Sequence, residues 1–210
     1  MDLHDFRRNY SMGKLRRQDL QQDPVEQFQL WLQQIVETGF ADPTAMIIAT
    51  SDAQGQPNQR YVLLKKFDTK GFVFFTDTSS AKGQEIAHNA QVSLLFPWHH
   101  FERQVRIQGE AERLDTADVA AYFHSRPLMS QQAAACSQQS QTIESRDELE
   151  LRFHALADQE HIPLPECWGG YIVKPRVFEF WQGGEHRLHD RFRYSRDDQA
   201  QTWAISRLQP

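Results

Sequence analysis

The chain has 210 residues, of which 40% are hydrophobic and 24% charged, with a formal net charge of -5. Those proportions suit a globular protein with one sizeable core and exclude a disordered or fibrous chain. The acidic balance argues against general nucleic-acid binding, so any positive site has to be local.

No apolar stretch approaches the roughly 20 residues of a membrane span. The opening MDLHDFRRNY carries no apolar signal-peptide region, which makes the cytoplasm the expected location. Cys136 and Cys167 form no CxxC pair and are expected as free thiols, with no structural zinc.

Residues 1–20 are polar, basic and weakly periodic, and read as a flexible N-terminal arm; residues 21–210 read as a single domain. Asp23, Pro24 and Glu26 make a helix start, Phe28, Trp31, Leu32 and Ile35 follow at helical spacing, and Gly39 ends the helix. From Ala45 short β-type runs take over: AMIIATS, RYVLLKKF, FVFFT, VSLLF and RQVRIQGEAERL. Asp52 to Pro57 and Asp68 to Gly71 have hairpin-turn chemistry. A short helix over about 81–88 interrupts the series. Strands in succession with tight turns predict an antiparallel sheet or small barrel, a mainly β fold with flanking helices.

Thr116 to His124 reads as a helix stopped before Pro127. The stretch SQQAAACSQQSQT reads as a flexible loop by composition. Ser145 with Glu148 forms a capping box for a helix to about Glu160. Strands return as GGYIVKP and VFEFWQ, followed by the charged run GGEHRLHDRF and a closing TWAISRL. The double glycine predicts a tight turn and then an extended chain, on which Arg187, His189 and Arg191 share one face and invite an anion. A solvated, charged hairpin edge fits the same spacing equally well.

Tyr122 and Arg126 stand four apart near a helix end, with Ser130 just past the proline. Phenol, guanidinium and hydroxyl together suit a phosphate monoester. Arg60, Lys65 and Lys66 bracket an apolar strand, and Lys82 follows Ser79-Ser80 at a helix N-terminus, where backbone donors favour phosphate. Arg16, Arg17 and Arg207 read as surface charge. His186 and His189 are flanked by arginines that repel a cation, so no metal is expected. There is no glycine-rich phosphate loop and no GxSxG elbow.

In order and in kind, FWQGGEHRLHDRF, YFHSRP, SLLFPWHHFERQV, ADPTAM and QRYVLLK resemble the pyridoxamine 5′-phosphate oxidase family over nearly the whole chain. The resemblance implies a split β-barrel homodimer with FMN in clefts between subunits. It also implies oxidation of pyridoxamine or pyridoxine phosphate by oxygen to pyridoxal phosphate and hydrogen peroxide. Carried over by position, the FMN partners are Arg60, Tyr61, Val62, Leu63, Leu64, Lys65, Phe75, Thr76, Lys82, Gln104, Gln139, Ser140, Trp181 and Arg191. Lys65, Tyr122, Arg126 and Ser130 take the substrate phosphate, and Arg187 and His189 face its ring as the catalytic pair. Arg7, Arg8 and Tyr10 belong to an arm that closes over the substrate.

The chain departs from the family pattern at Ala81, where an arginine is usual, at Phe75 in place of a tyrosine, and at Gln132-Ala133 in place of Ile-Gly. A flavin-storing barrel without catalysis and a small-barrel nucleic-acid binder are the rival readings. The first has no use for a substrate phosphate clamp, and the second lacks a basic stripe.

Overall fold

The computed structural model describes residues 1–5, 8–196 and 202–210. Helix α1, Pro24–Glu37, starts where the Asp23 carboxylate accepts the Val25 N–H at 2.7 Å, and it stops at Gly39, whose φ of +72° suits glycine. Helical spacing puts Phe28, Trp31 and Ile35 on one buried face. The Phe28 ring meets Phe67, Phe72 and Phe96 at centroid distances of 5.0, 5.1 and 4.7 Å, which anchors α1 in an aromatic core.

The strands are β1 (Ala45–Ser51), β2 (Pro57–Leu63), β3 (Lys66–Asp68), β4 (Gly71–Asp77), β5 (Gln91–Phe96), β6 (Arg103–Arg113), β7 (Trp168–Gln182), β8 (Asp190–Ser195) and β9 (Ala204–Leu208). Among the described residues they form one antiparallel sheet in the order β2-β1-β5-β6-β7-β4-β3, with β8 between β7 and β9. The predicted strand 60–67 is broken at Leu64 and Lys65. Leu64 donates its N–H to Thr44 at 2.9 Å, beside β1, while Lys65 donates to Val73 of β4 at 2.8 Å. These neighbours lie toward opposite ends of the strand order, so one peptide step rolls the sheet into a barrel. The mainly β split barrel is therefore the observed fold.

Strand β7 holds the halves together. One edge pairs with β6 along residues 171–182; the other pairs with β4 over 168–173 and with β8 over 177–182. A bulge falls where Gln108 faces Val177 but Gly109 faces Pro175. A Cβ on Gly109 would lie 2.1 Å from the Lys174 carbonyl oxygen, so the close approach needs glycine, and Pro175 lacks the N–H a regular ladder would use.

Helices α2 (Ala81–His88), α3 (Thr116–Ser125), α4 (Leu128–Cys136) and α5 (Arg146–His154) flank the sheet. Two expectations are corrected. Much of the Gln- and Ser-rich stretch is helix α4, because Gln131 and Gln132 turn inward: their amides donate to the Arg126 and Leu156 carbonyls, each at 2.8 Å. The run after Gly183-Gly184 is not extended at first. Residues 185–187 make a helical turn, with His186 and Arg187 in the left-handed region, closed by a bond from Leu188 N–H to the Glu185 carbonyl at 3.0 Å. Pairing resumes only at Asp190, opposite Gln182, so Arg187, His189 and Arg191 do not alternate along one strand.

The core predicts its own test. Phe28→Ala removes a fully buried ring and should cost about 3–5 kcal/mol in a urea titration, whereas Leu30→Ala, on the exposed side of α1, should cost under about 1 kcal/mol. Similar losses in both variants would contradict this packing.

Candidate functional site

The start of β7 carries the first cluster. A cavity of about 410 Å³ is lined by Tyr61, Val62, Leu63, Lys65, Phe75, Thr76, Lys82, Tyr122, Arg126, Pro127, Ser130, Gln139 and Trp168. Strand β4 supplies Phe75 and Thr76, the Leu64–Lys65 crossover supplies Lys65, and the α3–α4 corner supplies the phosphate-type trio. Phe75 stacks on Tyr122 with centroids 3.8 Å apart, which fixes the phenol ring at the mouth.

The cations lining this cavity touch no carboxylate of the described residues directly. The Lys82 ammonium donates to Thr76 Oγ1 at 2.9 Å, Ser80 Oγ at 3.1 Å and Gln139 Oε1 at 2.9 Å, all neutral oxygens. Burial lowers its pKa below the usual lysine value, and the nearby Arg60 lowers it further, against opposing pulls from Asp77 and Glu85. Arg126 lies over the Trp168 ring at 4.4 Å, its pKa is also lowered by burial, and its buried Nη1 has no partner. Among the described residues Lys65, Lys82 and Arg126 make no ion pair. The buried Lys82 and the half-buried Arg126 are costly without an anion, the exposed Lys65 adds a further positive charge to the lining, and the oxygens of a phosphate match the donors present. The first turn of α2 adds to this, since Ser80 spends its hydroxyl on the Asp77 carbonyl and caps nothing.

Other expected residues sit around this cluster in different ways. Ser140, at a left-handed φ of 71°, accepts the Ala81 N–H at 3.2 Å, and Gln139 N–H is held by Asp77 at 3.2 Å. Arg60 is committed to Glu85 at 3.1 Å and to Thr50. Leu64 points into the core and not into the cavity. Trp168, Asp77 and Glu85 escaped the sequence reading: a tryptophan ahead of two glycines, an aspartate at a strand end and a glutamate within a helix look structural until the fold brings them beside cations.

The end of β7 carries the second cluster. Register places Gln104, Trp181 and Arg191 in one row across β6, β7 and β8. Trp181 meets His189 at 4.8 Å between centroids, and Tyr10 packs edge-on against both, at 5.8 and 5.3 Å. Gly184 donates its N–H to His189 Nδ1 at 3.1 Å, so the ring proton sits on Nε2. Arg191 gives Nε and Nη2 to Glu179 Oε1 at 2.9 and 2.8 Å. Arg187 is exposed on the turn, and Arg8 bonds Glu102 at 3.1 Å; Arg7 lies outside the described residues. The arm 1–20 is tied down over its second half, where Leu15 and Leu20 are buried.

Trp168 and Trp181 are thirteen residues apart on β7. At about 3.3 Å per residue the two clusters stand roughly 40 Å apart along the strand. One subunit does not bring them together, so a site using both needs a second copy of the chain.

Comparison with known proteins agrees with this geometry. A family profile described as pyridoxamine 5′-phosphate oxidase matches residues 32–160, and one described as the pyridoxine 5′-phosphate oxidase C-terminal dimerisation region matches residues 168–210. The pyridoxine/pyridoxamine 5′-phosphate oxidase of Shewanella sediminis is 56% identical over 99% of both chains, and that of Vibrio cholerae is 54% identical over the full length of both. Among solved structures, PhzG from Burkholderia lata, in complex with tetrahydrophenazine-1-carboxylic acid, superposes with a TM-score of 0.87 at 28% identity, covering 92% of this chain and 95% of that one. A pyridoxamine 5′-phosphate oxidase-related, FMN-binding protein from Nostoc punctiforme shares the fold, with a TM-score of 0.74 at 16% identity over 91% of this chain and all of that one.

Fold and profiles together define a split-barrel protein with a C-terminal dimerisation region. The chain belongs to the pyridoxamine 5′-phosphate oxidase family. FMN is its cofactor, and it is a homodimer. No helix of the described residues is long and apolar enough to cross a membrane.

The burial of Lys82 ties its charge to stability. Its folded pKa lies below 10.5, so between the two values the unfolded chain binds more protons and apoprotein stability rises with pH; below the folded value the full cost of the buried charge is present. Lys82→Met should abolish that alkaline rise, melt no lower than the parent as apoprotein at neutral pH, and bind FMN at least tenfold more weakly. A variant apoprotein less stable than the parent, or one with unchanged FMN affinity, would contradict this account.

Proposed function

We propose that this homodimer oxidises pyridoxamine and pyridoxine 5′-phosphate to pyridoxal 5′-phosphate, with each site built from the β7-start cluster of one subunit and the β7-end cluster of its partner. The observation that carries the reading is one cavity lined by the buried Lys82, the half-buried Arg126 and the exposed Lys65, none of them in an ion pair among the described residues, whose charges the substrate and cofactor phosphates would satisfy. A flavin-storing barrel has no use for the second anion position. We read residues 21–210 as one functional unit with 1–20 as its arm, and place it in the reducing cytoplasm, which suits the thiols Cys136 and Cys167.

Lys82, Thr76, Gln139, Ser140 and the first turn of α2 would hold the FMN phosphate, with Arg60 held nearby by Glu85. Gln104, Trp181 and Arg191 of the second subunit would contact the remainder. When bound, FMN supplies the two-electron acceptor, with oxygen as the final oxidant. Lys65, Tyr122, Arg126 and Ser130 would fix the substrate phosphate by charge-assisted hydrogen bonds, which orients the ring without reacting with it. His189 carries its proton on Nε2 and can donate from there to the substrate. Arg187, exposed on its turn, is free to lie against the substrate ring.

Removing one clamp member tests the assignment. Arg126→Ala should raise KM for the phosphorylated substrates about tenfold to a hundredfold and leave FMN occupancy intact, and unphosphorylated pyridoxine should be a very poor substrate for the parent. An unchanged KM, or equal turnover of both substrate forms, would overturn it.

Position 81 gives a second test. Ala81 is exposed at the first residue of α2, where the dipole favours an anion. Ala81→Arg should tighten FMN binding several-fold, a gain of about 1 kcal/mol after screening, with KM nearly unchanged. Titration of apoprotein that shows equal or weaker affinity would place the phosphate beyond reach of this position.

A further inference from the structure

Glu102 is a carboxylate with only 4% exposure, in the left-handed region at φ 52° and ψ 34°, where the chain turns into β6. Both of its oxygens are spent on the N-terminal arm. Oε1 accepts from Arg8 Nη2 at 3.1 Å, and Oε2 accepts the Met12 N–H at 2.9 Å. Its backbone carbonyl accepts from Gly183 N–H at 2.7 Å and from Gln182 Nε2 at 3.2 Å. One residue therefore ties the arm to the double-glycine loop that carries His186, Arg187 and His189.

The steric picture supports the same junction. A Cβ on Gly183 would lie 2.7 Å from Tyr10 Cδ1 and 2.9 Å from Glu102 Cβ, so only glycine lets the arm and Glu102 close together over the loop. Arg8 lies 5.1 Å from the Tyr10 ring centroid while bonding Glu102, and Tyr10 in turn packs on Trp181 and His189. Arm and loop enclose a cavity of about 460 Å³, lined in part by Tyr10, Lys14, Gly184, His186 and Leu188. A buried carboxylate in a strained backbone conformation is costly unless its partners are in place. Here the partners belong to the arm.

We propose that Glu102 is a positioning residue: it latches residues 8–12 over the Trp181–His189 end of the substrate site and sets arm closure and loop geometry together. The proposal rests on the oxidase reading above. It implies that loosening the latch weakens substrate capture while leaving cofactor binding nearly intact, because Lys82 and the α2 end lie outside the latch and Gln104, Trp181 and Arg191 are fixed by their strand register. Glu102 touches no reacting atom in this arrangement and acts through Tyr10 and the loop.

The test compares the FMN-loaded parent with Glu102→Gln, which keeps shape and removes charge, and with Arg8→Met, which removes the same ion pair from the solvent side. Trypsin cleavage after Lys14, read without substrate, should speed up about fivefold to tenfold in Glu102→Gln, because cleavage follows the population of the open arm. KM for pyridoxine phosphate should rise by a similar factor, with kcat within about twofold and FMN affinity unchanged. The double variant should be little worse than either single one, since both remove one interaction. Unchanged cleavage would overturn the latch. Faster cleavage with unchanged KM would overturn its role at the site, as would a parallel loss of FMN, which signals general loosening. A parent that binds FMN but turns over no substrate would refute the oxidase reading, while the cleavage rates would still decide the latch.

Discussion

The arrangement depends on one strand serving two neighbours along the same edge. β7 gives its first half to β4 and its second half to β8, while β6 runs along its other side. The bulge at Gly109 and Pro175 bends the ladder between these halves. Because the barrel and the β8–β9 hairpin share this strand, the phosphate-directed cavity at its start and the aromatic cluster at its end are rigidly spaced and cannot meet within one chain. A site that uses both clusters then requires a second copy of the chain.

Electrostatics divides the clusters in kind. At the start of β7, Lys82 is held by neutral oxygens and Arg126 by an aromatic face, and neither makes an ion pair among the described residues. At the end, Arg106 and Arg191 share one carboxylate: Glu179, almost fully buried, sits between them. The first arrangement stores a cost that an anion relieves, which favours phosphate binding at the expense of apoprotein stability. The second fixes geometry, so that Arg191 stands in its row beside Trp181 whether or not a ligand is present.

Much of this was legible in the residues. The α1 start at Asp23-Pro24, the hairpin turns and the alternation of AMIIATS follow from local chemistry that the tertiary structure leaves intact. Tyr122, Arg126 and Ser130 were legible as a phosphate trio because a helix end and a proline fix their relative placement. Long-range effects were not. The break at Leu64–Lys65 exists only because the barrel closes there, and Gln132 turns inward because the Leu156 carbonyl, distant in sequence, accepts its amide, while Gln131 closes onto the Arg126 carbonyl of the preceding turn. The turn at His186 and Arg187 was hidden for a related reason: a His189 ring nitrogen accepts the Gly184 N–H, a bond that no period-two pattern reveals. Glu102 reads as an ordinary surface acid until the arm folds onto it.

The central claim is that the two clusters of one site come from different subunits, and complementation tests it most directly. Arg126→Ala and Arg187→Ala chains carrying different tags can be co-expressed and the mixed dimer isolated by sequential affinity steps. A shared site makes one of its two sites fully intact and the other doubly defective, so the mixed dimer should regain about half the parent's turnover, while each homodimer stays impaired. Activity of the mixed dimer no higher than that of the homodimers would mean that every site is built within a single chain, and would contradict the account.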